Sequence, residues 1–262
     1  MAIQRRSDAR MVPPEIDSPD MTRLSIVFAM LAMFAGGMLP SRAAGPIPAT
    51  VPDTMAQRLL ACAACHGPDG EGATKGENYP RLAGKAEGYL ANQLLSFRDG
   101  RRNYPAMNYL LGYLSDDYLR EIARYYAQLK TPYPAPVSGA SAAVLAHGEG
   151  LVLKGDPARN LPACSECHGK ALTGTAPFIP GLVGLSAPYI RQQMGAWQAG
   201  NRHAAEPDCM AKVASLLGAD EITAVTVWLA AQPAPTGAAP AASTVKLPLD
   251  CGSVPQRPAP QP

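Results

Sequence analysis

The chain lacks an excess of charge of either sign. Its 23 basic and 21 acidic residues give a net charge of +2 over 262 residues. No basic surplus exists to drive binding to a phosphate backbone, and no long run of like charge marks an interaction tail. These absences argue against a nucleic-acid partner.

The chain also lacks an apolar run of about 20 residues, the length that a membrane-spanning helix needs. One uncharged, largely apolar stretch, residues 24–39, follows Arg23 and precedes the small residues "PSRAAG", which suit signal-peptidase cleavage. We therefore predict that residues 1–44 are an N-terminal extension and signal peptide, and that the mature protein is exported to the periplasm. An uncleaved N-terminal anchor is the alternative.

Alternating strand patterns are lacking as well, and the apolar periodicity is helical. Ser115 has the character of an N-cap, and Leu119, Ile122 and Tyr126 follow it on one helical stripe. The sequence predicts an all-α fold whose other helices start near Asp53, span 86–99 and open at Asp220.

Against these absences stands an internal repeat. Residues 79–102 align without a gap on residues 179–202, and each copy carries the same proline, leucine, glycine, tyrosine, glutamine and arginine positions. Repeats of roughly 90 residues have the size of small domains. The predicted organisation is domain 1 at 45–131, a Pro-rich linker at 132–138, domain 2 at 139–232 and a Pro/Ala-rich C-terminal tail at 233–262.

Each repeat contains one Cys-x-x-Cys-His motif. A structural zinc site needs four ligands in a compact segment, but these two motifs lie about a hundred residues apart. A redox dithiol gives no reason for the histidines. Covalent attachment of a c-type haem explains the spacing, the histidine and the sparse apolar core. We therefore predict two covalent haems held by Cys62, Cys65, Cys164 and Cys167, with His66 and His168 as iron ligands.

The second axial ligand is predicted to be a methionine in each repeat. Met107 and Met210 lie at equivalent places in the two repeats. We predict that each is on an irregular stretch before the last helix of its repeat. Core filling is the alternative role for either methionine. His147 and His203 are alternative ligands, but neither has a counterpart in the other repeat.

The motifs "CAACHG" and "CSECHG", the segments "YPRLAGKAEGYL" and "IPGLVGLSAPYI", and the late methionines resemble the two-domain, two-haem cytochromes c of the cytochrome c-four type. The resemblance covers about residues 52–232. It implies two tandem class I cytochrome c domains, each wrapped around one covalent haem. It further implies that the carbonyls of Pro80 and Pro180 hold the histidines, that Leu82 and Leu182 contact haem, and that Arg102 and Arg202 either neutralise propionates or are exposed.

Two cysteines, Cys209 and Cys251, lie outside the haem motifs. In an exported chain such thiols usually pair, and the tail is long enough to fold back. We predict a disulfide that would pin the tail over the methionine stretch of the second repeat. A Cys209 thiolate on iron and two unpaired thiols are the alternatives.

Histidine and methionine together fill both axial positions of a haem, which leaves no open site for a substrate. The sequence predicts a non-enzymatic periplasmic carrier of single electrons. The expected donor is a quinol-oxidising complex or dehydrogenase, and the expected acceptor is a terminal oxidase or reductase. One alternative is a haem-bearing subunit of a membrane-bound dehydrogenase complex. The other is a dihaem enzyme of the peroxidase or thiosulfate dehydrogenase type.

Overall fold

A computed structural model of the chain describes residues 53–72, 79–137, 139–242 and 246–255, all within one compact unit. The predicted N-terminal extension and signal peptide lie outside these residues. Within the described ranges no single helix is long and apolar enough to cross a membrane. One bent pair, Cys209–Ser215 with Ala219–Ala230, meets the criterion by length and composition only.

Four helices build the first half of the described chain. The last of them begins behind Ser115, whose hydroxyl accepts a hydrogen bond from the backbone N–H of Tyr118, as the sequence predicts. Its apolar stripe, which includes Ile122 and Tyr126, packs against Leu59 and Leu90. The helices are α1 (Met55–His66), α2 (Glu87–Arg98), α3 (Pro105–Leu111) and α4 (Asp116–Gln128).

Five α-helices and one 3₁₀ turn (Pro157–Arg159) build the second half. The first and last of these helices pack closely where Gly148 faces the carbonyl of Ala224. Around this contact lies the apolar core of this half, with Val152, Ile222 and Leu229 almost fully buried. The helices are α5 (Ala142–Lys154), α6 (Cys164–His168), α7 (Ala187–Gln198), α8 (Cys209–Ser215) and α9 (Ala219–Ala230). The predicted all-α class is confirmed.

A small sheet departs from the expectation of helices alone. Strand β1 (Gly174–Ala176) pairs antiparallel with β2 (Ile179–Pro180) and parallel with β3 (Ala241–Ala242). The register places Thr175 opposite both Ile179 and Ala241. Strands of two or three residues are too short to show an alternating pattern, which is why the sequence did not predict them. The third strand brings the tail back to the second half.

The two late methionines lie on short helices, so the prediction of irregular stretches is wrong. Met107 is on α3, which begins with Pro105. The N–H groups of a helix's first turn have no partner within the helix, so a proline there loses no hydrogen bond. Met210 is in the first turn of α8, where the Asp208 carboxylate accepts from the N–H of Met210 at 3.1 Å. Helices of seven residues span only two turns, so their apolar periodicity is too brief to recognise.

The proline-rich connector forms neither helix nor strand over residues 131–137, and it is fixed in place. The buried guanidinium of Arg81 donates to the carbonyls of Thr131 and Pro132 and stacks over the ring of Tyr133 at 4.1 Å. Tyr133 in turn lies against Gly184 of the second half. The connector is therefore part of the packed unit.

Candidate functional site

Each half contains a cavity that brings its Cys-x-x-Cys-His motif together with its late methionine. The first cavity, of about 430 Å³, is lined by Cys62, Cys65, His66 and Met107 among others. The second, of about 320 Å³, is lined by Cys164, Cys167, His168 and Met210. Both volumes lie within the usual range for ligand sites, about 300–1,000 Å³. Residues far apart in sequence thus converge as a haem site requires.

The two histidines are held by the carbonyls that the resemblance implies. His66 Nδ1 lies 2.9 Å from Pro80 O, and His168 Nδ1 lies 2.7 Å from Pro180 O. A proline carbonyl only accepts hydrogen bonds, so Nδ1 carries the proton and Nε2 is free to ligate a metal. Burial is the main cause that lowers the pKa of both rings. Each imidazole is therefore neutral at physiological pH, the form that binds iron.

Three of the four motif cysteines do not have the environment of reactive thiols. Burial raises the pKa of Cys62, and it raises the pKa of Cys164 and of Cys167 to about 11. A redox-active dithiol needs the opposite shift, because the thiolate is the nucleophile. This electrostatic environment argues against the dithiol interpretation and is compatible with thioether attachment.

The cavity walls are largely apolar. Leu82 lines the first cavity and Leu182 the second, as the resemblance implies. Their other apolar lining includes Leu90, Phe97 and Ile122 in the first cavity and Ile190, Met194 and Val225 in the second.

Buried positive charge is the feature that best tests the fit of a haem. Arg81, Lys85, Arg102 and Arg202 all line the first cavity with 3–8% of their surface exposed. In the described part of the chain none of the four has a carboxylate within ion-pair distance. Because buried charges are rarely left unpaired, the cavities fit an anionic apolar group. Haem has this character, since its ring carries two propionates.

One neutral donor points to the same conclusion in the second cavity. The indole N–H of Trp197 is buried and finds no acceptor within the described ranges. Its ring lies under the Arg202 guanidinium at 3.8 Å. A buried N–H without a partner normally has one in the complete protein, and a propionate oxygen of a bound haem would supply it.

Arg102 and Arg202 join the two halves and are buried, so of the two alternatives the exposed one is wrong. Arg102 donates to Gln93 Oε1 at 2.9 Å, Gln193 Oε1 at 2.6 Å and Tyr189 Oη at 3.0 Å. Arg202 donates to the same two glutamines, and the backbones of the two arginines form an antiparallel bridge. The two arginines are buried because the two repeats pack against each other at this point. The sequence of either repeat alone does not reveal that contact.

The tail is fastened beside the second methionine. Cys209 and Cys251 form a disulfide with their Cα atoms 5.1 Å apart. Asn92 of the first half donates to Ser253 O at 3.2 Å. Residues of the tail that line the second cavity are Leu247, Leu249, Cys251, Gly252, Ser253, Val254 and Pro255. The disulfide occupies the Cys209 sulfur, so this structure gives no support to thiolate ligation.

The alternative histidine ligands lie elsewhere. His147 and His203 are exposed, and neither lines the first or the second cavity. The His203 ring contacts the carbonyl of Gly200 at 2.8 Å.

Sequence reasoning missed Lys85, Tyr89 and Gln93 as cavity residues, although the last two repeat as Tyr189 and Gln193. That repetition was a usable signal. Lys85 has Leu185 at its equivalent position and so gave none.

Comparison with known proteins agrees with this geometry. The family profile described as Cytochrome c matches residues 55–129. A protein of Thiomonas intermedia named thiosulfate dehydrogenase electron acceptor is 43% identical over 69% of this chain and 82% of its own length. Cytochrome c4 of Pseudomonas aeruginosa is 36% identical over 66% of this chain and 84% of its own.

Among solved structures, reduced recombinant cytochrome c4 from Pseudomonas stutzeri superposes with a TM-score of 0.58 at 30% identity, covering 67% of this chain and 95% of that one. The two Cys-x-x-Cys-His motifs and the all-α class I fold are thus accompanied by relatives matched over most of their length. The chain belongs to the dihaem cytochrome c4 family and carries covalently bound c-type haem.

Proposed function

We propose that this protein is a periplasmic carrier of single electrons between a dehydrogenase and a terminal oxidase or reductase. The observation that carries the proposal is the convergence of a histidine and a methionine on each cavity, His66 with Met107 and His168 with Met210. If the histidine and the methionine of each cavity both ligate the iron, a bound haem would supply one-electron chemistry and leave no open coordination site.

The residues of this chain hold and orient that group. The paired cysteines would attach it covalently, and the carbonyls of Pro80 and Pro180 keep each imidazole in one orientation and one tautomer. The buried cations Arg102 and Arg202 would face its propionates. None of these residues is placed to transfer a proton or to attack a substrate, which favours a carrier over an enzyme.

For the donor we propose a thiosulfate dehydrogenase. The Thiomonas relative is named as an electron acceptor of such an enzyme and is 43% identical to this chain. The name describes a protein that accepts electrons from the enzyme. Two haem centres with a methionine ligand each would suit that role. A dihaem enzyme would need one open or differently ligated site, so the enzyme alternative is less well supported.

The proposed docking face lies beside the first cavity. Tyr109 and Tyr113 are 84% and 99% exposed, on and just after the helix that carries Met107. Tyr104 and Leu110 are partly exposed and also line the cavity. Exposed aromatic and aliphatic groups of this kind mark transient protein interfaces. The corresponding side of the second cavity is occupied by the tail, so we propose that partners dock on the first half.

The test is stopped-flow reduction of the oxidised protein by a thiosulfate dehydrogenase supplied with thiosulfate. We expect a second-order reaction, slowed about tenfold when Tyr109 and Tyr113 are both replaced by serine, a loss of about 1.4 kcal/mol. Leu153→Ser, an exposed position on α5, is the control and leaves the rate unchanged.

Reduction by a small reagent such as ascorbate should be equal in all three proteins. Failure of the dehydrogenase to reduce a protein that ascorbate reduces normally would refute the donor. Co-purification with a catalytic membrane subunit would favour the subunit alternative instead.

A further inference from the structure

The two cavities share a wall that is nearly symmetric. Tyr89 and Tyr189, and Gln93 and Gln193, are repeat-related pairs, and all four residues line both cavities. Lys85 also lines both cavities, but its repeat-related residue is Leu185, which lines only the second. At this shared wall the first repeat therefore contributes a positive charge, Lys85, and the second repeat contributes no equivalent charge.

The side chain of Lys85 crosses from the first half to the second. Its Nζ donates to Gly181 O at 3.0 Å, and Gly181 directly follows Pro180, whose carbonyl holds His168. The charge of a first-half lysine is therefore delivered beside the histidine of the second half.

The ammonium group is not neutralised by a protein carboxylate. Lys85 is 8% exposed, and within the described residues no Asp or Glu lies in ion-pair distance of it. Burial lowers its pKa to about 8, which leaves the protonated form in the majority at neutral pH. Arg81 lowers the pKa further, and Tyr189 opposes the shift.

We propose that Lys85 raises the reduction potential of the second haem centre. Reduction removes one positive charge from an iron centre, so a buried cation nearby favours the reduced state. The inference rests on the haem ligation proposed above and is independent of which donor supplies the electron.

The test is an optically monitored redox titration of full-length variants. Lys85→Gln removes the charge and keeps a donor for Gly181 O, whereas Lys85→Arg keeps the charge. Both are made in the wild type and in a Met107→His background, in which the remaining methionine-to-iron band reports the second centre alone. The titration uses small mediators and no partner protein.

We expect Lys85→Gln to shift the reduction equilibrium of the second centre by roughly tenfold, which lowers its potential by about 59 mV for a one-electron couple. Lys85→Arg should stay near the wild-type potential. Lys170→Gln is the matched control: it removes an exposed lysine two residues after His168, and solvent screens such a charge.

An unshifted second potential in Lys85→Gln would overturn the proposal, and so would an equal shift in Lys170→Gln. Lys85→Met, which removes both charge and donor, separates a structural role. If Lys85→Met lowers stability while Lys85→Gln leaves the potential unchanged, the lysine only joins the two halves. Failure of the dehydrogenase to reduce the protein would refute the donor but leave these potentials as they are.

Discussion

At the scale of single residues, each motif histidine is oriented by a short stretch of sequence. Each follows its second cysteine directly, and each is fixed by one carbonyl of a proline 12 or 14 residues later. The imidazole orientation therefore depends on two short segments and a single hydrogen bond. The two methionines reach the cavities from helices that lie later in each half.

Met107→His should keep the haem attached but lower the potential of the first centre. Imidazole stabilises ferric iron more than a thioether does, and axial ligands set potentials over about 0.8 V, so we expect a fall on the order of 100 mV. A redox titration measures the shift. Met55→Leu, at a partly buried methionine that packs on the core of the first half, is the control and leaves the potential unchanged. An intact methionine band and an unchanged potential in Met107→His would identify Met107 as core filler.

The motif residues could be predicted from sequence because their chemistry is tied to spacing, and the methionines because they repeat. Lys85 could not be predicted. Its sequence neighbours Gly84 and Ala86 give no sign that its side chain is buried. The side chain is buried because it reaches Gly181 of the other half. Arg102 and Arg202 were ambiguous for the same reason, since their partners come from across the interface.

At the scale of elements, helices α5 and α9 pack closely against each other at Gly148. A Cβ added at Gly148 would meet Ala224 O at 2.2 Å and Trp228 Cβ at 2.8 Å, both on the facing helix. The two helices cannot move apart at this point without disturbing the apolar core around it. The absence of a side chain at this position allows the approach.

Gly148→Ala should destabilise the protein by about 1–3 kcal/mol, because overpacking moves backbone rather than a flexible side chain. Gly150→Ala is a matched control on the same helix, with nothing within 4 Å of the added Cβ. It should stabilise by about 0.5–1 kcal/mol, since alanine is the better helix former. Denaturant unfolding followed by circular dichroism measures both. Equal effects of the two substitutions would contradict the packing account.

The tail is the second element with a testable role. A non-reduced digest should contain a linked peptide of Cys209 and Cys251 and no alkylatable thiol. Replacing both cysteines by serine opens a loop with a sequence separation of 42 and should cost about 3–4 kcal/mol in the chain-entropy model. Two alkylatable thiols in the oxidised protein would refute the link. A low-potential centre in Cys251→Ser would show that the freed Cys209 thiolate can displace Met210.

The long helices were predictable from caps and periodicity, as α4 with Ser115 shows. The short elements were not. Helices α3 and α8 have seven residues each, and the strands have two or three, so local propensity carries little signal. Their positions depend on contacts with the cavities and the tail.

At the scale of the whole molecule, two repeats form one compact unit through a polar contact. Arg102 and Arg202 each donate to both Gln93 and Gln193, and backbone bonds such as His203 N to Arg101 O support them. The duplication was evident in the sequence, but the face on which the copies meet was not, because polar residues at an interface resemble polar residues at a surface.

Arg102→Met should weaken this contact. The variant keeps much of the side-chain volume but removes three hydrogen bonds from a buried cation, so we expect a loss of about 2–4 kcal/mol in unfolding free energy. Arg191→Met, at an exposed position of α7, is the control and should change stability little. Chemical denaturation of the two holoproteins compares them, and equal stabilities would show that Arg102 does not hold the halves together.

The account rests on two methionine-ligated centres that each carry one electron. A spectroelectrochemical titration of the purified protein tests this most directly, with a pyridine haemochrome assay of the same sample to count haems. We predict two haems per chain that resist acid-acetone extraction, two one-electron steps, and a methionine-to-iron band from both ferric centres. One haem per chain, or a second centre that lacks this band and binds added ligands, would contradict it.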